Sequence, residues 1–256
     1  MINERLRISI AGNGKVARSL GLAMRKYGIE IVEVWGRDTD KAESLAKELG
    51  AALISEPSGF NSNVDAVAVL VSDDAIKELS SQIPINISKF HASGTTPLSD
   101  LGSDVAGVFW PIKSINKETV SEGFNGVPVG IEANSDSFYK LLTYIADALG
   151  AQGFKAERDA RLKIHLAAVF TDNFANHCLT LSQDILAQAD LDKGLMKALA
   201  EGLVKGSVSG NSKSRQTGVA IRGDKSSKAR HLKLLSEDKR AFYEFMSNEI
   251  AKYHEL

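Results

Sequence analysis

The chain has 256 residues, 43% of them apolar, with a formal charge of −1 and a single cysteine. That composition suits one large domain or two modest ones with a sizeable core. Near-zero charge argues against global attraction to nucleic acid or membrane. The lone Cys178 excludes an internal disulfide, and no apolar run is long enough for a bilayer span. A cytoplasmic location is therefore expected.

The opening run Met1-Ile2-Asn3-Glu4-Arg5 leads straight into a strand pattern. It has no basic segment followed by an apolar one, so a signal peptide is not expected. From Arg5 to Ala11 polar and apolar residues alternate and then turn apolar, as in a strand. Gly14 to Tyr27 carries Val16, Ala17, Leu20, Ala23 and Met24 at helical spacing, and Gly28 stops it. Ile29 to Trp35 reads as a second strand. Thr39 to Leu49 reads as a second helix, capped by Asp38 or Thr39 and ended by Gly50. Val64 to Val71 is nearly all apolar, as a parallel strand covered on both faces requires. Ser72-Asp73-Asp74 offers a cap for a helix over Ala75 to Ser81. Strands are expected at Asn86–Ala92, Val105–Phe109, Val127–Ala133 and Gln152–Lys155, with a helix from Ser135 to Leu149.

Alternation of this kind predicts βαβ units and a mostly parallel, Rossmann-like α/β sheet, with any ligand along the strand C-termini. After Ala156 no convincing strand remains. Arg158–Ala189 and Leu191–Ser209 read as helices, Ser207–Ser227 as a polar Gly/Ser-rich stretch, and Ala229–Leu235 and Ser236–Tyr253 as closing helices. The expected organisation is a dinucleotide-binding domain over 1–156 and an all-α domain over 157–256.

Gly12-Asn13-Gly14-Lys15-Val16-Ala17 follows the first strand and opens the first helix. Gly12 permits a sharp turn, Gly14 lets a pyrophosphate approach the backbone, and Ala17 keeps helix and strand close. The phosphates then meet the free N–H groups of a helix N-terminus. The bland alternative is a tight turn without a ligand. Arg37 stands where NAD sites usually carry an acid for the ribose 2′-hydroxyl, and a guanidinium suits a 2′-phosphate. NADP is therefore expected over NAD, although the adjacent Asp38 keeps NAD open.

His91-Ala92-Ser93-Gly94 ends a core strand at the edge where a nicotinamide would lie. His91 and Ser93 are candidates to hold a ribose hydroxyl or polarise a substrate, against the alternative of a buried structural histidine. Trp110, beside Pro111, reads as packing or as a stacking surface. In the long helix His165, Asn173 and Asn176 are expected to share one face and form a polar stripe towards a cleft. Arg222, in the loop Gln216–Asp224, is a candidate anchor for a carboxylate or phosphate. No metal-ligand spacing is present. Eight Lys/Arg against one acid between Lys205 and Lys233 read as a solvated face or as a wall for an anion. Without interleaved aromatics they do not suggest nucleic-acid binding.

GNGKVA (12–17), WGR (35–37), VSDDAI (71–76), HASG (91–94), HLAAVFTDNFANH (165–177) and TGVAIRGD (217–224) together resemble one bacterial family. Its members join a Rossmann-like NADP-oxidoreductase domain to a helical C-terminal domain of unknown function. More distantly the layout is similar to pyrroline-5-carboxylate reductases, 6-phosphogluconate and β-hydroxyacid dehydrogenases, and deazaflavin-dependent NADP reductases. The resemblance implies that Val71 and Ser72 border the cofactor and that His165 and Asn173 face a small-molecule substrate. It also implies that the helical domain mediates homodimerisation. Where the family commonly has His-Pro, this chain has Trp110-Pro111, which puts any chemistry of that histidine in doubt. Two readings follow: an NADP-dependent oxidoreductase acting on a small, anionic substrate, or an NADP(H)-binding sensor without turnover.

Overall fold

The structure is a computed structural model that describes residues 5–207 and 210–255. The expected lead-in at residues 1–4, and residues 208–209 of the expected helix and polar stretch, lie outside the described residues.

Eight strands form one sheet in the order β3-β2-β1-β4-β5-β6-β7-β8. They are β1 (Arg7–Ala11), β2 (Glu30–Trp35), β3 (Ala52–Leu53), β4 (Ala66–Val69), β5 (Lys89–His91), β6 (Ala106–Pro111), β7 (Pro128–Ala133) and β8 (Gln152–Lys155). All neighbours pair in parallel except β6 with β7. β4, in the interior, is buried at every residue, which explains its unbroken apolar run. The two-residue β3 was not expected. Both its residues are exposed, so it leaves no apolar signature.

Helices α1 (Lys15–Lys26), α2 (Thr39–Leu49), α3 (Asp73–Gln82) and α4 (Asp136–Ala148) cover the two faces. Leu20, Met24, Leu45, Phe90, Phe109 and Leu142 belong to one apolar cluster. Val67, Val69, Ile76, Leu79 and Leu101 belong to another. The boundaries follow from local chemistry. Asp38 caps α2 by accepting the Lys41 N–H, and Gly50 ends it in a left-handed conformation at φ 67°. The strand order reverses between β1 and β4, so beyond their paired carboxyl ends the connections leave in opposite directions and open a crevice.

The chain divides into two compact units, Met1–His177 and Cys178–Leu256. The change of pattern expected near residue 156 coincides with the end of β8, while the first unit runs on to His177. Helix α5 (Arg158–Ala168) stays with the sheet through Arg161, whose guanidinium donates to the Thr96 and Ala156 carbonyls and to Glu132. The single long helix expected over 158–189 contains a π-helical segment, Val169–Phe174, between α5 and α6 (Ala175–Gln188).

The second unit is helical: the rest of α6, then α7 (Lys197–Ser207), α8 (Lys225–Leu234) and α9 (Glu237–Tyr253). α8 begins four residues earlier than expected, because Asp224 accepts the Ser227 N–H and caps it there. None of the described residues of α6 to α9 is buried, and Leu199, Leu203, Leu234 and Phe245 are largely exposed. Among the described residues no helix is long and apolar enough to cross a membrane.

Candidate functional site

A cleft of about 840 Å³ opens at the carboxyl ends of β1, β2 and β4. Ala11 pairs with Val69 at the strand ends, so Gly12 and Leu70 lie side by side where the crevice begins. A Cβ on Gly12 would sit 2.2 Å from the Leu70 carbonyl oxygen, at a φ of 141°. Only glycine makes that turn at such a distance. At Gly14 the same construction meets nothing within 4 Å, so the absent side chain opens the cleft and not the packing. Gly14 is also the N-cap of α1. No side chain caps that helix and no acid lies in its first turn. Its leading N–H groups and positive dipole end are thus left for an anion. Lys15 and Val16 complete this wall; Val71 and Ser72, which follow β4, line the other side. The site fits a dinucleotide pyrophosphate on these two observations: a glycine-made opening and an uncapped helix end.

At the end of β2, Arg37, Asp38 and Lys41 line the same cleft. Asp38 is turned towards its own helix. One carboxylate oxygen accepts the Lys41 N–H at 3.2 Å and the other meets Lys41 Nζ at 2.5 Å. This pairing holds the Asp38 carboxyl below the usual carboxylate range. Asn13 Nδ2 donates to the Asp38 carbonyl at 2.7 Å, bracing the glycine loop against the turn that carries Arg37.

His91 and Ser93 do not line this cleft. His91 is fully buried; Nδ1 accepts the Ser93 N–H at 3.1 Å, which places the proton of the neutral ring on Nε2. Burial, helped by the charge of Arg161 and opposed by Asp73, pushes the imidazole down to about 4. Ser93 Oγ donates to Asp73 Oδ2 at 2.7 Å and accepts from the Thr95 and Thr96 N–H groups. Both side chains thus help to shape the turn that carries Gly94, which for His91 is the buried structural alternative, with Nε2 left without a hydrogen-bond partner.

That turn faces a second cleft, of about 520 Å³, formed by the end of β6 and by α5 with its π segment. Trp110, Lys113, Ser114, His165, Asp172 and Asn173 line it. The Trp110 and His165 rings lie 6.0 Å apart, inclined by 42°. A Cβ on Gly94 would come within 2.7 Å of Trp110 and 3.0 Å of His165, so the glycine lets the turn close upon both rings. Trp110 is therefore packing and cleft wall at once. His165 and Asn173 both line this cleft. The Asn173 amide, however, donates to Asp172 Oδ2 at 3.4 Å and does not reach His165. Asp172 also accepts from Ser114 Oγ. Asp172 and Asn173 lie in the π segment, seven and eight residues after His165, and line the cleft with it. Asn176, one turn on, is not among the lining residues. Arg222 is exposed, in the turn before α8 within the second unit.

Ser114, Asp172 and Arg161 carry no mark of their places in the sequence. The first two announce themselves only as polar residues in polar company. Arg161 sits among Arg158, Asp159 and Lys163, where nothing marks it as the buried member of the four. Among the described residues no group of His, Cys, Asp and Glu is placed to hold a metal ion.

Residues 7–91 match the family model described as NADP oxidoreductase coenzyme F420-dependent. Residues 127–250 match a domain of unknown function. The chain is thus similar to an NADP-oxidoreductase domain in its first part and to that domain of unknown function in its second. Its fold is that of pyridine-nucleotide oxidoreductases. A candidate NADP oxidoreductase from Bacteroides fragilis is 27% identical, with a TM-score of 0.87 over 97% of this chain and 98% of that one. A pyrroline-5-carboxylate reductase from Coxiella burnetii shares the fold at 18% identity, with a TM-score of 0.59 over 98% of this chain and 93% of the other. An imine reductase from Myxococcus stipitatus, in complex with NADP+, does so at 16% identity, with a TM-score of 0.63 over 96% and 92%. Among curated proteins none matches this sequence.

Proposed function

We propose that the protein is an NADP-dependent oxidoreductase of the cytoplasm, acting on a small, anionic substrate. The carrying observation is the first cleft, where a glycine-opened, uncapped helix end and Arg37 line one cavity. Gly12, Asn13, Gly14, Lys15 and Val16 would hold the pyrophosphate, Val71 and Ser72 the opposite side, and Arg37 the 2′-phosphate. When bound, the dinucleotide supplies or accepts the hydride.

The substrate is assigned to the second cleft. His165 is the proposed proton donor or anchor, half-buried against Trp110. Asn173 is assigned to hold the substrate and Trp110 to exclude water. Asn176 is proposed to assist in binding, and Arg222, within the second unit, to bind a carboxylate or phosphate in its own right. The test is direct: titrate NADPH and NADH into wild type and Arg37→Ala, then assay NADPH oxidation across keto acids, imines and hydroxy acids. Equal loss of both cofactors in the variant, or no loss, sinks the NADP reading.

The helical unit is proposed to form a homodimer. No described residue of α6 to α9 is fully buried, while Leu179, Leu199, Leu203, Leu234 and Phe245 are exposed. Such a surface calls for a partner. A monomeric mass by light scattering at micromolar concentration overturns this.

One feature favours the second reading, a sensor that binds NADP(H) without turnover: the resemblance implies a histidine where this chain has Trp110. His165→Ala separates the two, because only an enzyme loses turnover while keeping cofactor affinity.

A further inference from the structure

The rim of the first cleft brings an acid next to the cation assigned to the cofactor's 2′-phosphate. Asp38 follows Arg37 directly, and both line the cleft. An acid at this edge is the ordinary device for accepting a ribose 2′-hydroxyl, and it repels a 2′-phosphate. Yet both oxygens of this acid are taken up. Oδ1 caps α2 through the Lys41 N–H and Oδ2 pairs with Lys41 Nζ, while the Asp38 main-chain carbonyl is held by Asn13. A side chain at Gly36 would reach within 2.5 Å of the Asn13 amide nitrogen, so the turn seats closely on the glycine loop. The acid is fixed on the helix side of the turn by a lysine one helical turn along.

We propose that Lys41 is a specificity-determining residue that selects NADP over NAD by masking Asp38. Its ammonium neutralises the carboxylate and keeps it turned to α2. Arg37 then faces the 2′-phosphate without a competing acid. With Lys41 removed, Asp38 keeps one cap bond but is free to swing its second oxygen towards the ribose, which weakens the 2′-phosphate form and strengthens the 2′-hydroxyl form. This rests on the reading of the first cleft as an NADP site, with Arg37 as its phosphate ligand.

The experiment measures dissociation constants for NADPH and NADH by fluorescence titration of the full chain. Wild type, Arg37→Ala, Lys41→Ala, Asp38→Asn and the Asp38→Asn/Lys41→Ala double variant are compared, with Tm recorded for each. Asparagine keeps the helix cap, so folding is preserved in the double variant. Lys41→Ala is expected to cut the preference for NADPH by roughly fivefold, in keeping with an exposed pair. The double variant is expected to regain most of that preference, because no acid is left to mask. If the double variant stays as impaired as Lys41→Ala, the lysine acts as a second phosphate ligand and masking is wrong. If Lys41→Ala leaves the ratio unchanged while Arg37→Ala lowers it, this inference falls and the NADP site stands. If wild type binds neither cofactor, or prefers NADH, the reading of the site falls and the inference with it.

Discussion

The side-chain amide of Asn13 donates to the main-chain carbonyl of Asp38 at 2.7 Å, across twenty-five residues of sequence. One hydrogen bond thus fixes the distance between the glycine-loop end of the first cleft and its Arg37 end. Asn13→Ala removes the brace and leaves both loops with their own backbones. We expect NADPH affinity to fall severalfold, on the order of one hydrogen bond to a fixed group. NADH affinity should fall less, because the Arg37 end matters less to it. Calorimetric titration of both cofactors checks this, and equal losses would assign Asn13 to the pyrophosphate alone.

The two glycines of the loop should fail in different ways. Gly12→Ala forces a Cβ against the Leu70 carbonyl at a positive φ. It should lower stability by about 2 kcal/mol or more in urea unfolding. Gly14→Ala meets no atom within 4 Å, so its Tm should stay near wild type while cofactor affinity drops. A cofactor-binding Gly14→Ala variant would move the pyrophosphate away from this helix end.

Arg161 is buried, with Glu132 as its charged partner and two carbonyls as further acceptors. Removing one member of such a pair strands the other. Arg161→Met should cost about 3 kcal/mol of stability by chemical denaturation, somewhat less than a fully buried pair because Glu132 keeps 22% of its side-chain surface in water. The double variant Arg161→Met/Glu132→Gln should recover part of the loss. A single variant as stable as wild type would show that the guanidinium does not hold α5 to the sheet.

How much of this was legible beforehand depends on whether a residue's role left a local mark. β4 did, as an unbroken apolar run, and so did α2, with Asp38 before it and Gly50 after it. The glycine loop was readable because strand, turn and helix are all contiguous. β3 was not, since two exposed residues carry no period. The antiparallel β7 was equally hidden, because pairing direction is decided by long-range topology. His91 read as a cleft residue because it ends a strand at the right edge. The chain turns there through Ser93 and Asp73, contacts separated by about twenty residues in sequence, and the ring ends up inside. The π segment itself was hidden, with no Gly or Pro to announce it.

His91 also gives a pH dependence with a definite sign. Its imidazole titrates at about 4 in the folded protein, mainly through burial, against about 6.5 unfolded. The unfolded chain therefore binds the proton first, and stability falls as pH drops from about 6.5 towards about 4. Above that window the contribution is fully present. The loss attributable to this group amounts to about 3 kcal/mol at most. Melting curves of wild type and His91→Gln between pH 7 and 4 should differ in slope, with the variant flatter. Parallel curves would place the acid sensitivity elsewhere.

The second cleft decides between catalysis and sensing. His165 touches the Trp110 ring and the Gly94 turn, and its cleft contains a carboxylate, Asp172, already held by Ser114 and Asn173. In an enzyme, His165→Ala should lower kcat by roughly a hundredfold or more, the usual contribution of a positioned acid. Its cofactor affinity should remain, since His165 lines only the second of the two clefts described. His165→Gln keeps the shape and a hydrogen-bond donor but cannot exchange a proton near neutrality. Recovery of KM without recovery of kcat in that variant would assign proton transfer to His165, whereas recovery of both would make it a substrate anchor. Trp110→His adds the other half of the comparison. An increase in turnover there would mean that the tryptophan suppresses chemistry the cleft otherwise supports. If every variant including wild type binds NADPH and none oxidises it with any carbonyl or imine offered, the Trp110–His165 contact belongs to a sensor.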